Sequence, residues 1–425
     1  MRPDRSSRPS MAPSSVRVAA VVALALLVGT APAQAGITSP YVRKAIMTLA
    51  PGITWERGVA RTSNGIQAIQ VGRIDMHHPQ VSLQSLLSND RVIKLERPSV
   101  NADRQSEPGS LAIIATNGDV STAGDTGAGA HPPSTHVHQG EMMVGTSCGR
   151  PTLGVDQDGT ARMGSVRLKG TLDMTSVVPG YKGTIAIRGV NRQRSTNQLI
   201  VYTDRWGPST LTTSSGTEVI VDMAGRVEPS GRITGVVESV REGTTDILIP
   251  TGRMVLSGQG DKARILDQLS AGDAIAIETA MYEADGTSCA PSAIASGWQN
   301  VVEVMGGNYY TARNGGNVAP TSGQYAKGGI AAPRTNVGIT ADGDILMVVV
   351  DGRQSGYSIG MTLIEMGDLM LQLGAVTAFN LDGGGSTIMA TRRPGAERIT
   401  VSSRPSDGRE RSLTQALAAF SITEP

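Results

Sequence analysis

From residue 53 to the C-terminus, short alternating or Val-rich runs are cut every few positions by Gly, Asp or Pro, a rhythm that suits strands and leaves little room for long helices. The 425-residue chain holds 52 glycines, so positive φ is available wherever a tight turn needs it. Asp342-Gly343 stands between residues 335–340 and 345–350 and reads as a hairpin turn. The second of these runs is continuously apolar, which predicts burial on both faces. One helix is predicted after Thr362, which forms a capping box with Glu365. Leu363, Met366, Leu369, Met370 and Leu373 make its apolar stripe, and Gly374 ends it. A second short helix is predicted over 262–269. The expected fold class is α+β, with β-rich mixed sheets and a few helices.

The first 35 residues read as a signal peptide. Arg2, Arg5, Arg8 and Arg17 precede the uncharged run 18–28, and Ala33-Gln34-Ala35 is a small-x-small cleavage site. That run is far shorter than the ~20 apolar residues of a spanning helix, and no later stretch is long enough. No adjacent Arg pair supports a twin-arginine route. The expected product is a secreted or cell-envelope protein without a transmembrane segment. Without the leader the chain keeps 34 basic and 36 acidic residues, a net charge of −2, and only 3% of the whole chain is aromatic. Such a surface lacks the basic stripe and stacking platforms of a nucleic-acid binder.

Two cysteines in an exported chain suggest a disulfide between Cys148 and Cys289. In the chain-entropy model so long a loop contributes at most about 5 kcal/mol. The strand-rich stretch 150–288 that they bracket reads as an inserted β-rich lobe, dividing a catalytic core into 36–149 and 289–425.

The densest chemical signal is Asn380-Leu381-Asp382-Gly383-Gly384-Gly385-Ser386-Thr387. If 376–382 is a strand, alternation puts Asn380 and Asp382 on one face and Phe379 and Leu381 on the other. Three glycines after it permit close backbone approach and can aim N–H groups at an anion. The segment lacks the Gly-Lys-Ser/Thr ending of a Walker loop. The plain alternative is a polar strand end followed by a glycine turn. Four further segments matter if they converge there: Asn117-Gly118-Asp119, Pro333-Arg334-Thr335, Asp351-Gly352-Arg353, and the turn from Arg404 through Asp407 and Glu410 to Arg411. Each alone reads as a turn. Together they offer carboxylates and guanidinium groups at strand ends, where binding residues usually sit.

Other patterns are weaker. Gly258-Gln259-Gly260-Asp261-Lys262-Ala263 matches a dinucleotide fingerprint without the βαβ series it requires. His131, His136 and His138 have no acidic cluster beside them in the sequence to make a metal site. A serine triad lacks its Gly-x-Ser-x-Gly elbow.

The run Ala378–Met389, preceded by Gly360-Met361-Thr362-Leu363 and Leu373-Gly374-Ala375, resembles the signature of the phosphodiester glycosidases, the family of N-acetylglucosamine-1-phosphodiester α-N-acetylglucosaminidase. Residues 115–119, 333–338, 350–353 and 404–411 also resemble its motifs. Val120-Ser121 departs from the aromatic usual after the first Asn-Gly-Asp, and 150–288 exceeds a minimal family domain. The resemblance implies an exported hydrolase of sugar-1-phosphodiesters in envelope or extracellular glycans. Asp382 would be the main catalytic carboxylate, with Asp119 or Glu410 the second acid or base. Arg334 and Arg353, helped by the amides of Gly383, Gly384 and Gly385, would hold phosphate, and Asn117 and Asn380 would orient the sugar. Asp351, Ser386, Thr387, Arg404 and Asp407 complete the expected substrate-binding set. No cofactor is expected, with a divalent cation left open, and the oligomeric state is not given by the sequence. Two competing readings are a non-catalytic glycan-binding envelope protein and a metal-dependent phosphodiesterase.

Overall fold

The computed structural model describes residues 36–122, 129–174, 184–284, 293–295, 297–320 and 329–423. The expected signal peptide lies outside them. So does Cys289, and with it the pairing expected with Cys148; no cysteine among the described residues is free.

The hairpin predicted at Asp342-Gly343 forms between the strands Arg334–Thr340 and Ile345–Val350, with Gly343 at φ 92°. It lies at the centre of an eight-stranded sheet, flanked by Gly65–Ile74 on one side and Ala375–Asn380 on the other. All six residues of Ile345–Val350 are buried. Alternation explains how. Ile345, Met347 and Val349 face a core shared with Ile53, Leu83, Ile113, Phe379 and Leu417, whereas Leu346, Val348 and Val350 face Met366, Leu369 and Met370 of a helix. That helix, Leu363–Gln372, begins with the predicted capping box: Thr362 Oγ1 accepts the Glu365 N–H, and Glu365 accepts the Thr362 N–H. Gly374, at φ 99°, follows its end. The second predicted helix is present as Asp261–Leu266.

A five-stranded sheet, centred on Ser110–Asn117 between Met389–Thr391 and Gln415–Ile422, packs on the far side of the first core. The remaining strands, from His136–His138 through Val301–Gly306, form a thirteen-stranded sheet. It closes on itself because Ala161–Asp173 pairs with Ala274–Ala284 as well as with Arg150–Asp156. Closure removes most free strand edges and encloses its own core, including Val166, Leu168, Val219, Val237, Leu256 and Ile277. The protein is thus an α+β molecule dominated by sheet, and the ends of strands from all three sheets meet around Asp382.

Candidate active site

Two backbone bonds fix the chain where Ala375–Asn380 ends. Leu381 donates to Thr335 O at 2.8 Å and Asp382 to Gly118 O at 3.0 Å. Asn117 ties the same three segments together. Its Nδ2 donates to Gly118 O and Asp382 O, and its Oδ1 accepts from Thr335 Oγ1 and the Ile388 N–H. With no exposed surface and its amide committed, Asn117 is a strut, which replaces the sugar-orienting role expected of it. Asn380 is likewise buried, between Tyr309 and Asn336 in the sheet, with its Nδ2 turned to Leu381 O. The polar face expected for Asn380 and Asp382 therefore reduces to Asp382, which lies beyond the last strand residue and keeps partial solvent contact.

Asp382 accepts the Gly383 N–H at 2.8 Å. Burial is the main cause that raises its pKa. The Asp119 charge adds to the rise, while Ser386, the Gly383 amide and Arg411 oppose it. The two carboxyls thus feel each other directly.

The glycines do something other than expected. Gly383 spends its amide on Asp382, and Gly384 donates to Pro333 O at 2.9 Å, so the loop is not a nest of three open donors. Its lack of side chains instead admits guanidinium groups. A Cβ on Gly384 would lie 2.9 Å from Arg353 Nη2, and one on Gly385 would collide with Arg411 Nη2 and stand 2.5 Å from Asp407 Oδ2. Gly383 lies against Arg334, whose Nε donates to Met361 O and Nη2 to Ile330 O. Burial, aided by Arg353, lowers the Arg334 pKa to about 10. Three arginines thus border the loop, two of them expected. Arg411 was visible inside its motif but not singled out. It pairs with Asp407 at 2.5 Å and holds that carboxylate below the usual range. Ser386 and Thr387 are buried at the end of the loop.

Asp351 and Arg404 serve the scaffold. Asp351 accepts the Arg404 N–H at 3.0 Å and the Tyr357 hydroxyl at 2.9 Å, and the Arg404 guanidinium lies over the Tyr357 ring. Burial raises the Asp351 pKa to about 6. Glu410 does not join the centre. Its carboxylate takes the N–H and hydroxyl of Ser99, at the start of the helix Pro98–Arg104, which removes its basis as the second acid or base.

Asp119 follows the strand Ser110–Asn117, and its side chain is wholly buried. One oxygen accepts the Val120 N–H at 2.8 Å, and the other accepts the Ser134 hydroxyl. Arg150 donates from Nε to Ser134 Oγ at 2.6 Å and holds Nη2 3.6 Å from Asp119. Sequence reasoning missed Ser134 and Arg150 because no local motif marks either. The histidines are structural. His136 lies between Ser85 O and the Gln415 amide, its pKa pushed down to about 3 by burial, and His138 pairs with Glu303 at 3.2 Å. Among the described residues, no group of three His, Cys, Asp or Glu side chains is placed to hold a metal.

Solved structures share the architecture. A protein from Synechocystis has a TM-score of 0.67 at 20% identity, covering 90% of this chain and 64% of its own. A protein from Burkholderia pseudomallei named as exported has a TM-score of 0.62 at 20% identity, covering 83% of this chain and 74% of its own. In sequence, 85 residues are 39% identical to the SPbeta prophage-derived protein YomE of Bacillus subtilis, covering 20% of this chain and 12% of that protein. Residues 228–420, which include Arg334, Arg353, Asp382 and Arg411, match the model of the phosphodiester glycosidase family. Over that stretch the chain is similar to the phosphodiester glycosidase domain.

Proposed function

We propose that this protein is an exported glycosidase that hydrolyses a sugar-1-phosphodiester, such as an N-acetylglucosamine-1-phosphodiester, in envelope or extracellular glycans. The reading rests on one observation: the partly exposed residue Asp382 sits in a loop bordered by Arg334, Arg353 and Arg411. Guanidinium groups suit the phosphate because they bind two oxygens at once. The carboxylate serves as nucleophile or as the base that activates water at the anomeric carbon. The bond from that carbon to oxygen breaks, and its electron pair leaves with a phosphate that is already a weak base. Strong acid assistance is unnecessary, so one substrate-facing carboxyl is sufficient. Export rests on the leader segment; among the described residues no helix is long and apolar enough to cross a membrane.

Incubation with a panel of sugar-1-phosphodiesters in heavy-oxygen water tests the reading. The label is expected in the released sugar. Label in the phosphate would mean attack on phosphorus, as a metal-dependent phosphodiesterase performs, and sugar-phosphate binding without product would mean a glycan-binding protein.

A further inference from the structure

Asp119 poses a problem that the proposed chemistry leaves open. Its side chain has no exposed surface, so it does not meet substrate, yet the preceding residue, Gly118, accepts the Asp382 N–H at 3.0 Å, and the Asp119 charge contributes to raising the Asp382 pKa. A carboxyl sealed from water sheds its charge unless donors and a cation compensate. Burial is the main cause that raises the Asp119 pKa, and Arg150, the Ser134 hydroxyl and the Val120 amide oppose that rise. The Ser134 hydroxyl points at one Asp119 oxygen, and Arg150 donates to that hydroxyl. This order of donors, Arg150 to Ser134 to Asp119, delivers hydrogens toward the carboxyl and so favours its anion. Arg150 Nη2 is buried without a hydrogen bond, facing the other Asp119 oxygen at ion-pair distance. A Cβ at Gly306, the last residue of its strand, would collide with Ser134 Cβ, so the barrel is cut to seat this serine.

We propose that Ser134 and Arg150 are positioning residues that hold Asp119 as a buried anion behind Asp382, and that this anion keeps Asp382 a strong enough base or nucleophile for the reaction. The inference rests on Asp382 as the working carboxyl. The charged groups involved are Asp119 and Arg411, which act on Asp382, Arg334 and Arg353 along the adjoining glycines, Asp407 paired to Arg411, and Arg150 beside Asp119. Neutralising Asp119 removes a negative charge that raises the Asp382 pKa, so Asp382 should ionise at lower pH and become weaker.

The test is a pH titration of the Asp382 carboxyl by carbon NMR in the full chain labelled at aspartate, with Asp382→Asn assigning the signal. Asp119→Asn and Arg150→Met are expected to move the Asp382 midpoint down by about one unit, and Ser134→Ala by less. Arg150→Lys, which keeps the charge, is expected to stay near wild type. Ser134→Ala should add no shift to Asp119→Asn, because no charge remains to be held. With a turnover assay, the acidic limb of the rate profile should move with the NMR midpoint, whereas a merely structural role would lower the rate at every pH with the limb in place. An unmoved midpoint in Asp119→Asn, or in both Ser134→Ala and Arg150→Met, overturns the inference. If no sugar phosphodiester is turned over, the functional reading falls while the titration still decides this one.

Discussion

The eight-stranded sheet and the closed barrel solve burial differently. In the sheet, the central strand Ile345–Val350 is covered on both faces by apolar side chains, and the ends of Arg334–Thr340 and Ala375–Asn380 lead to Asp382. The barrel also has an apolar core, but it keeps an ion pair inside: Arg194 Nη1 meets Glu218 at 3.2 Å with both side chains almost wholly buried. Thr212 and Ser257 also bond to Glu218, and burial raises its pKa to about 7. The comparison teaches that proximity to other polar groups does not make a site. Asp382 retains solvent contact and lies in a loop bordered by arginines, whereas the Glu218 side chain is wholly buried, with Arg194, Thr212 and Ser257 all on one of its oxygens.

The sharpest way to break this contrast is Asp382→Asn. Turnover should fall by about 10²–10⁴-fold while circular dichroism and the melting temperature stay near wild type. Retained turnover would return the site to a glycine turn. Arg194→Met makes the opposite change. It strands Glu218 without its cation and should cost about 3–5 kcal/mol in urea unfolding, with Asp382 chemistry unchanged in whatever fraction stays folded.

Asp351 sharpens the comparison on the core side. Its folded pKa of about 6 lies above the ordinary carboxylate value of 3.8, so the folded state favours the protonated form. The stability this contributes is complete below the unfolded pKa and is lost as pH rises through about 6. By linkage the loss approaches about 3 kcal/mol. The stability difference between wild type and Asp351→Asn, followed by thermal melts from pH 4 to 7, should change across that window; a constant difference would place the Asp351 titration elsewhere. The smallest effect is expected at Thr362→Ala, which removes half of the capping box and should cost about 1 kcal/mol.

Much of the core was legible because its signals are local. A capping box, an Asp-Gly turn and a continuous apolar run depend on residues within a few positions of each other, and each appears where the pattern puts it. The site was legible in part. Asp382 and the arginines stand in dense motifs, but the motifs did not say which polar atoms would be used up by the fold. Asn117, Glu410 and the amides of Gly383 and Gly384 carry the expected chemistry and spend it on internal bonds. Ser134 and Arg150 carry no motif, since they matter only because the barrel delivers them to Asp119.

The amino-acid order alone settled the sheet-rich class, the hairpin, the capped helix and the chemical character of the Asp382 loop, because short-range sterics and periodicity act between near neighbours. Tertiary structure decided which carboxyl meets solvent, which is sealed, and which donors are already taken. Those outcomes depend on desolvation and on hydrogen bonds between segments hundreds of residues apart, such as Asn117 with Asp382, and a linear pattern does not encode them.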